Sequence, residues 1–167
     1  MSLQNKIPTP QIICGIDPGY DRIGVAIISG NKKKPEVVFS TCIETVKEES
    51  LPERLLFLGI SLKNILLKYK PDIVAIEDLF LFKNHKTVMG VSQARGVLLY
   101  QSLLLGIPCV EYTPLQIKSA VCGYGRADKK QVQEMVTILT GKQKEKGVHD
   151  DEFDAIAIAL TAQAIIK

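Results

Sequence analysis

A nine-residue run near the start, Ile12-Ile13-Cys14-Gly15-Ile16-Asp17-Pro18-Gly19-Tyr20, constrains the fold more than any other stretch. Apolar side chains at successive positions point to opposite faces of a strand, so a strand of this kind must be covered on both sides. The run therefore demands a central strand with a layer above and a layer below. It then delivers a carboxylate, Asp17, into a Pro-Gly turn. An ionised carboxylate beside an apolar strand is costly unless a cation or strong donors meet it. Turn amides can supply those donors, as they do at many Asp corners, and this stretch alone leaves that reading open beside a functional one.

Downstream, residues 23–29 and 36–45 are β-rich runs separated by the loop Gly30-Asn31-Lys32-Lys33-Lys34-Pro35. The connections are too short for crossovers, which predicts an antiparallel meander of three strands. Residues 51–70 switch to a helical period, with Leu55, Leu58, Leu62, Ile65, Leu66 and Tyr69 on one face between Pro52 and Pro71. Asp72-Ile73-Val74-Ala75-Ile76-Glu77 is a continuous apolar run ending on a second carboxylate, the pattern of a central parallel strand. A helix over 86–105, a strand over 109–112 and a short helix over 114–122 follow. A helix capped by Asp128 and running to 140 comes next, then a buried helix over 150–166. The expected fold class is α/β: one domain over 1–167, with 1–10 flexible, and a mixed five-stranded sheet flanked by helices. Three antiparallel strands come first and parallel strands after.

Composition excludes several classes. At 46% hydrophobic residues over 167 positions the chain can bury a full core, and no apolar run reaches the roughly 20 residues that span a bilayer. The first eleven residues are polar and proline-bearing, without the apolar segment of a signal peptide. Cys14, Cys42, Cys109 and Cys122 are widely separated, with no C-x-x-C or Cys/His spacing that suggests zinc. They read as reduced thiols of a cytoplasmic protein with no membrane partner. The net charge of +3 does not by itself announce a nucleic-acid partner.

Chemistry in an open α/β sheet gathers beyond the carboxyl ends of the parallel strands. Glu77 sits at such an end, and Asp17 ends the strand expected beside it. Far along the chain, His149-Asp150-Asp151-Glu152-Phe153-Asp154 opens the last helix. The helix dipole accounts for acids in a first turn, but Asp154 begins the segment that must face the core, and there it needs a partner. Asp151 and Asp154, three apart, share a helix face. Asp17, Glu77, Asp151 and Asp154 together offer an all-oxygen donor set suited to Mg²⁺, or to Mn²⁺ in its place. Two such ions about 3.5–4 Å apart can activate a water and stabilise the leaving oxygen of a phosphodiester.

Four motifs carry a family resemblance: Ile16-Asp17-Pro18-Gly19, Ile76-Glu77-Asp78-Leu79-Phe80, Ser92-Gln93-Ala94-Arg95-Gly96-Val97 and Asp151-Glu152-Phe153-Asp154-Ala155-Ile156-Ala157. In this order they resemble the RuvC Holliday-junction resolvases, over nearly the whole chain. The resemblance implies an RNase H-like fold, a homodimer, two ions per active site and Mg²⁺-dependent nicking of opposed strands at a four-way DNA junction. The nicks leave 5′-phosphate and 3′-hydroxyl ends. A branch-migration motor complex is a further partner it implies, which the sequence itself does not reveal. The family's four acidic ligands fall on Asp17, Glu77, Asp151 and Asp154, while His149 and Asp150 fall outside the pattern. Its supporting lysines match Lys118 and Lys129, for which the plain alternative is a solvated lysine.

In the same light Phe80, in a linker that also holds Phe82, is expected to stack on an unpaired base at the crossover. Lys83, Lys86, Arg126 and Lys130 are expected to meet DNA phosphates. If these lysines and Lys32–Lys34, Lys142, Lys144 and Lys146 line one face, they form a phosphate track. Gly90, Ala94 and Gly96 within one helix require close packing, either on the sheet or on the twin helix of a second subunit. Arg95 can pair with an acid or touch DNA. Other readings are a catalytically silent junction-binding relative and an RNase H-like nuclease acting on RNA–DNA hybrids. An actin-like sugar kinase would require a second such domain and a second phosphate loop, which the chain lacks.

Overall fold

The computed structural model describes residues 11–78, 85–145 and 147–166, the side chains of 85–87 excepted. Phe80, Phe82 and Lys83 therefore lie outside the described residues, as does the side chain of Lys86. The elements run β1 (Ile12–Asp17), β2 (Arg22–Asn31), β3 (Lys34–Glu44), α1 (Leu51–Tyr69), β4 (Ile73–Glu77), α2 (His85–Leu104), β5 (Cys109–Tyr112), α3 (Pro114–Cys122), α4 (Lys129–Thr140) and α5 (Asp150–Ile165). The sheet order is β3-β2-β1-β4-β5. β1, β2 and β3 pair antiparallel, whereas β4 runs parallel to both β1 and β5. This is the mixed five-stranded sheet the sequence predicts.

Strand parity decides which side of the sheet each residue serves. On β1 and β4, Cys14, Ile16, Val74 and Ile76 pack with Leu58, Leu62 and Leu66 of α1 and with Ala94 and Leu98 of α2. Ile13, Ala75 and Ile73 point the other way, onto α3, α4 and α5. Asp17 and Glu77 have the parity of this second group, so both carboxylates emerge on the α5 side. The last helix lies against the sheet through two glycines. A Cβ on Gly15 would overlap the carbonyl oxygen of Ala155 and come within 2.8 Å of the Ala159 amide nitrogen. One on Gly24, the β2 partner of Asp17, would overlap the carbonyl oxygen of Asp151.

The turn after Asp17 is tied to α1. Arg54, 7% exposed, donates through Nε to the Thr45 hydroxyl at 2.8 Å and through its guanidinium to the Tyr20 carbonyl at 3.1 Å and the Asp21 carboxylate. Its guanidinium also lies 5.0 Å from the centre of the Tyr20 ring, which packs against Gly90 of α2. Hydrogen bonds to a charged donor contribute about 1.5–3 kcal/mol. Arg54→Leu is accordingly expected to lower unfolding stability by about 2–3 kcal/mol and to slow any reaction at Asp17, as urea melts and turnover would record. A variant as stable and as active as wild type would show that the clamp holds nothing.

Arg95 pairs with acids: its guanidinium meets Glu111 and stands 3.4 Å from Asp78. No helix among the described residues is long and apolar enough to cross a membrane.

Candidate active site

Three of the acids meet at one cleft. A cavity of about 190 Å³ at the carboxyl ends of β1 and β4 is lined by Asp17, Glu77, Lys118, Lys129 and Asp154, with Ile117, Val132 and Ile158 as apolar walls. α5 brings Asp154 in from its first turns, α3 supplies Lys118 and α4 opens on Lys129. Both of the shorter helices are fixed by side-chain caps. Thr113 accepts from the Gln116 amide and Asp128 from the Gln131 amide, so Lys129 projects from the first turn and Lys118 from the second turn of a helix with a fixed start.

Asp151 stands on the other side of Asp17. It lines an adjoining cavity with Asp17, Gly19, Tyr20, Asp21 and Arg22, so Asp17 is shared between the two. The Nε of Arg22 donates to one Asp151 oxygen at 3.1 Å and stands 3.0 Å from the other, the buried Oδ2, so the guanidinium faces both oxygens of the carboxylate. Asp150 is turned away from this centre. Lys144 donates to it and Lys129 stands 3.6 Å off, and chiefly the Lys144 hydrogen bond lowers its carboxyl to about 2.

Burial first, then the charges of Asp154, Glu77 and Asp151, hold the Asp17 carboxyl well above the usual carboxylate range. Burial and then Asp154 raise Glu77 to about 7, against the pull of Lys118 and Lys129. Burial also raises Asp154, although Lys129 donates to it at 2.9 Å. Lys129 is itself shifted: burial pushes its ammonium down, but the bond to Asp154 and the nearby acids leave it above the ordinary lysine value. The cleft therefore holds more negative charge than its lysines neutralise.

These shifts have a signed consequence. A carboxyl whose folded pKa is raised contributes stability that is complete below its unfolded value and lost as pH climbs through the folded one. For Glu77 the window runs from the ordinary 4.5 to about 7. Chelator-treated protein is expected to lose roughly 2 kcal/mol of stability across that window, and saturating Mg²⁺ to restore it above pH 7. Melting temperatures measured with and without the ion check this, and a flat profile would contradict it.

The donor set fits a hard divalent cation: every candidate ligand is a carboxylate, and the mutual repulsion of Asp17, Glu77, Asp151 and Asp154 is under-compensated. The carboxylates are nevertheless set apart. Among the described residues, only Cys42, Glu44 and His149 form a group of three whose ligand atoms all lie within 4.8 Å of one another. Sequence spacing missed that trio because its members come together only through strand pairing and the start of α5. Arg22 was also missed. Its one available signal is parity, which places it on the α5 face with Gly24.

Of the basic residues, Arg126 and Lys130 are exposed beside Lys129 at the start of α4. Lys32–Lys34 lie away from the cleft. The β2–β3 hairpin sits at the opposite end of β1 from Asp17, and Lys32 donates to the Ala164 carbonyl at the far end of α5. Gly96 faces open space, whereas Gly90 packs within the chain on Tyr20.

A mixed sheet in this order, with acids at the ends of β1 and β4 and in the first turns of the last helix, defines an RNase H-like nuclease domain. The family model described as crossover junction endodeoxyribonuclease RuvC matches residues 13–162. Relatives of that description from Fusobacterium nucleatum and Petrotoga mobilis are 46% identical over 149 residues and 44% over 148. Each alignment covers 89% of this chain, and 78% and 90% of the respective relative. The solved structure of Thermus thermophilus RuvC in complex with Holliday junction substrate superposes with a TM-score of 0.84 at 30% identity, covering 90% of this chain and 92% of that one. The chain belongs to the RuvC family of crossover junction endodeoxyribonucleases.

Proposed function

We propose that the protein resolves four-way DNA junctions in recombination and repair, as a cytoplasmic homodimer cutting two opposed strands with Mg²⁺, or Mn²⁺, at two ions per site. The whole chain serves as one nuclease domain. The observation that carries this reading is the single cleft shared by Asp17, Glu77, Asp154, Lys118 and Lys129. Asp17, Glu77, Asp151 and Asp154 would hold the cations. Divalent ions there supply Lewis-acid stabilisation of the phosphate and a lowered pKa for a bound water.

The remaining work falls to the chain's own residues. Asp17, which lines both cavities, would serve the ligand groups of each. Glu77 accepts a hydrogen bond from the attacking water and so aligns it with phosphorus. Water adds in line, the bond to the 3′-oxygen breaks, and the products are a 5′-phosphate and a 3′-hydroxyl. Lys118 and Lys129 face the place where negative charge grows on the phosphate. Lys129 is occupied by Asp154, and once that carboxylate is neutralised otherwise its ammonium is free to meet a phosphate oxygen.

Phe80 and Phe82 stack on unpaired bases at the crossover, and Lys83, Lys86, Arg126 and Lys130 hold phosphates. Two-fold pairing of subunits suits a substrate with two equivalent strands. Exposed Met89, Tyr100, Leu103 and Leu104 on α2, together with open space at Gly96, support a partner on that helix. A branch-migration motor delivers the junction.

Incubating the protein with labelled junction, linear duplex and RNA–DNA hybrid in Mg²⁺ tests the proposal. Paired nicks confined to the junction are expected. Preferential hybrid cleavage would replace this reading with a general RNase H-like nuclease, and junction binding without cutting would replace it with a silent relative.

A further inference from the structure

The Cys42–Glu44–His149 trio lies outside the acidic cleft. Cys42 and Glu44 pair with Gly24 and Arg22 on β2, and all four have the parity of the α5 face. His149 caps the start of α5 and so arrives over the same end of β3. One ligand atom from each of the three lies within 4.8 Å of the others, and His149 Nε2 is 3.1 Å from Glu44 Oε1. Two bonds of about 2.0 Å at a tetrahedral angle place their ligand atoms about 3.3 Å apart, so this pair stands close to the edge of a zinc polyhedron. We propose that Cys42, Glu44 and His149 form a second metal site, for a borderline divalent cation of the Zn²⁺ class, which fastens β3 to the start of α5 two residues before Asp151.

The donor chemistry separates this site from the cleft. Thiolate and imidazole favour Zn²⁺ or Co²⁺ over Mg²⁺, whereas four carboxylates do the reverse. On binding, the Cys42 thiol gives its proton to solvent as the sulfur–metal bond forms. The imidazole binds through the Nε2 lone pair and carries its proton on Nδ1. Water completes the coordination, since the His149 and Glu44 side chains are 43% and 55% exposed.

The surrounding charge suits a cation. Asp151 and Glu152 of α5 and Glu44 itself all act on Cys42, and after burial they account for its thiol standing at about 11. Glu152 is held in place by the Ser40 hydroxyl at 2.7 Å. Arg22, the cation that acts on Cys42, is engaged with Asp151.

Cobalt binding to the full-length, chelator-stripped protein tests this without recourse to cleavage. Co²⁺ alone is expected to raise a near-ultraviolet thiolate-to-cobalt band that saturates at one ion per chain. Zn²⁺ should bleach the band and excess Mg²⁺ should leave it. Cys42→Ser should abolish the band, and Cys122→Ser should keep it. His149→Ala should weaken zinc affinity, read by competition with a chromophoric chelator, by at least the about 10–100-fold that losing a ligand's supporting partner costs. Metal-free melting curves of the variants that match wild type establish that they fold. No band in wild type, a band that survives Cys42→Ser, or one that Mg²⁺ removes would each overturn the proposal. None of these readouts depends on whether the protein cuts junctions.

Discussion

Replacing Asp17 by Asn is expected to stop junction cleavage while junction binding persists. Asp17 belongs to both cavities and feels Asp154, Glu77 and Asp151 together, so its loss removes the carboxylate common to the two cavities. The expected fall in cleavage rate is at least of the order of 10²–10³-fold, the size lost when a group aimed at developing charge is deleted. The same substitution should raise the stability of the metal-free protein. An amide of nearly the same shape removes a buried charge that burial and three acidic neighbours disfavour. Loss of activity with a gain of stability marks a functional group, whereas a structural carboxylate would lose both. Single-turnover cleavage, junction gel shifts and urea melts on one preparation distinguish these cases, and a variant that both cuts and melts like wild type would contradict the role.

Gly15→Val is expected to give the largest loss of stability of any substitution in β1. Gly15 lies under α5, where even a single methyl would overlap the Ala155 carbonyl oxygen and crowd Ala159. Both obstacles are backbone or a side chain fixed to it, so neither can rotate away. Overpacking a rigid interior costs about 1–3 kcal/mol and sometimes more, and the absence of any yielding neighbour places this case at or above about 3 kcal/mol. Against a total of about 5–15 kcal/mol, that can leave little folded protein at 37 °C. The effect reaches the site, because α5 carries Asp151 and Asp154, and lifting it from the sheet separates them from Asp17. Denaturant unfolding checks the stability, and a change below about 1 kcal/mol would show that α5 sits less tightly than the backbone spacing requires.

Much of this was legible in the chain. The continuous apolar runs at Ile12 and Ile73 declare strands covered on both sides, and the short connections impose the meander. Strand ends with carboxylates and a last helix opening on acids mark the cleft before any coordinates. Helix bounds follow from local signals: Pro114 and Thr113 start α3, Gly123 ends it with a left-handed backbone, and Gly141 does the same for α4. What stayed hidden depends on contacts between distant segments. The sequence places Gly15 in a strand but does not say that a helix backbone presses on it. Arg54 reads as an ordinary polar helix residue, and only the folded chain brings Thr45, Tyr20 and Asp21 to its guanidinium. The lysines of 32–34 look like their basic neighbours until the register sends them to the other end of the sheet. Asp150 and Asp151 are chain neighbours that face different partners: one meets Lys144, the other meets Arg22 beside Asp17.

The central claim is that acids distant in the chain hold catalytic cations in one cleft. Crystals soaked in Mn²⁺ and measured at the manganese edge test it most directly. The account expects anomalous density among Asp17, Glu77 and Asp154, extending toward Asp151, and its disappearance in Asp17→Asn crystals. Density confined to other places, with none in that cleft at saturating Mn²⁺, would contradict it.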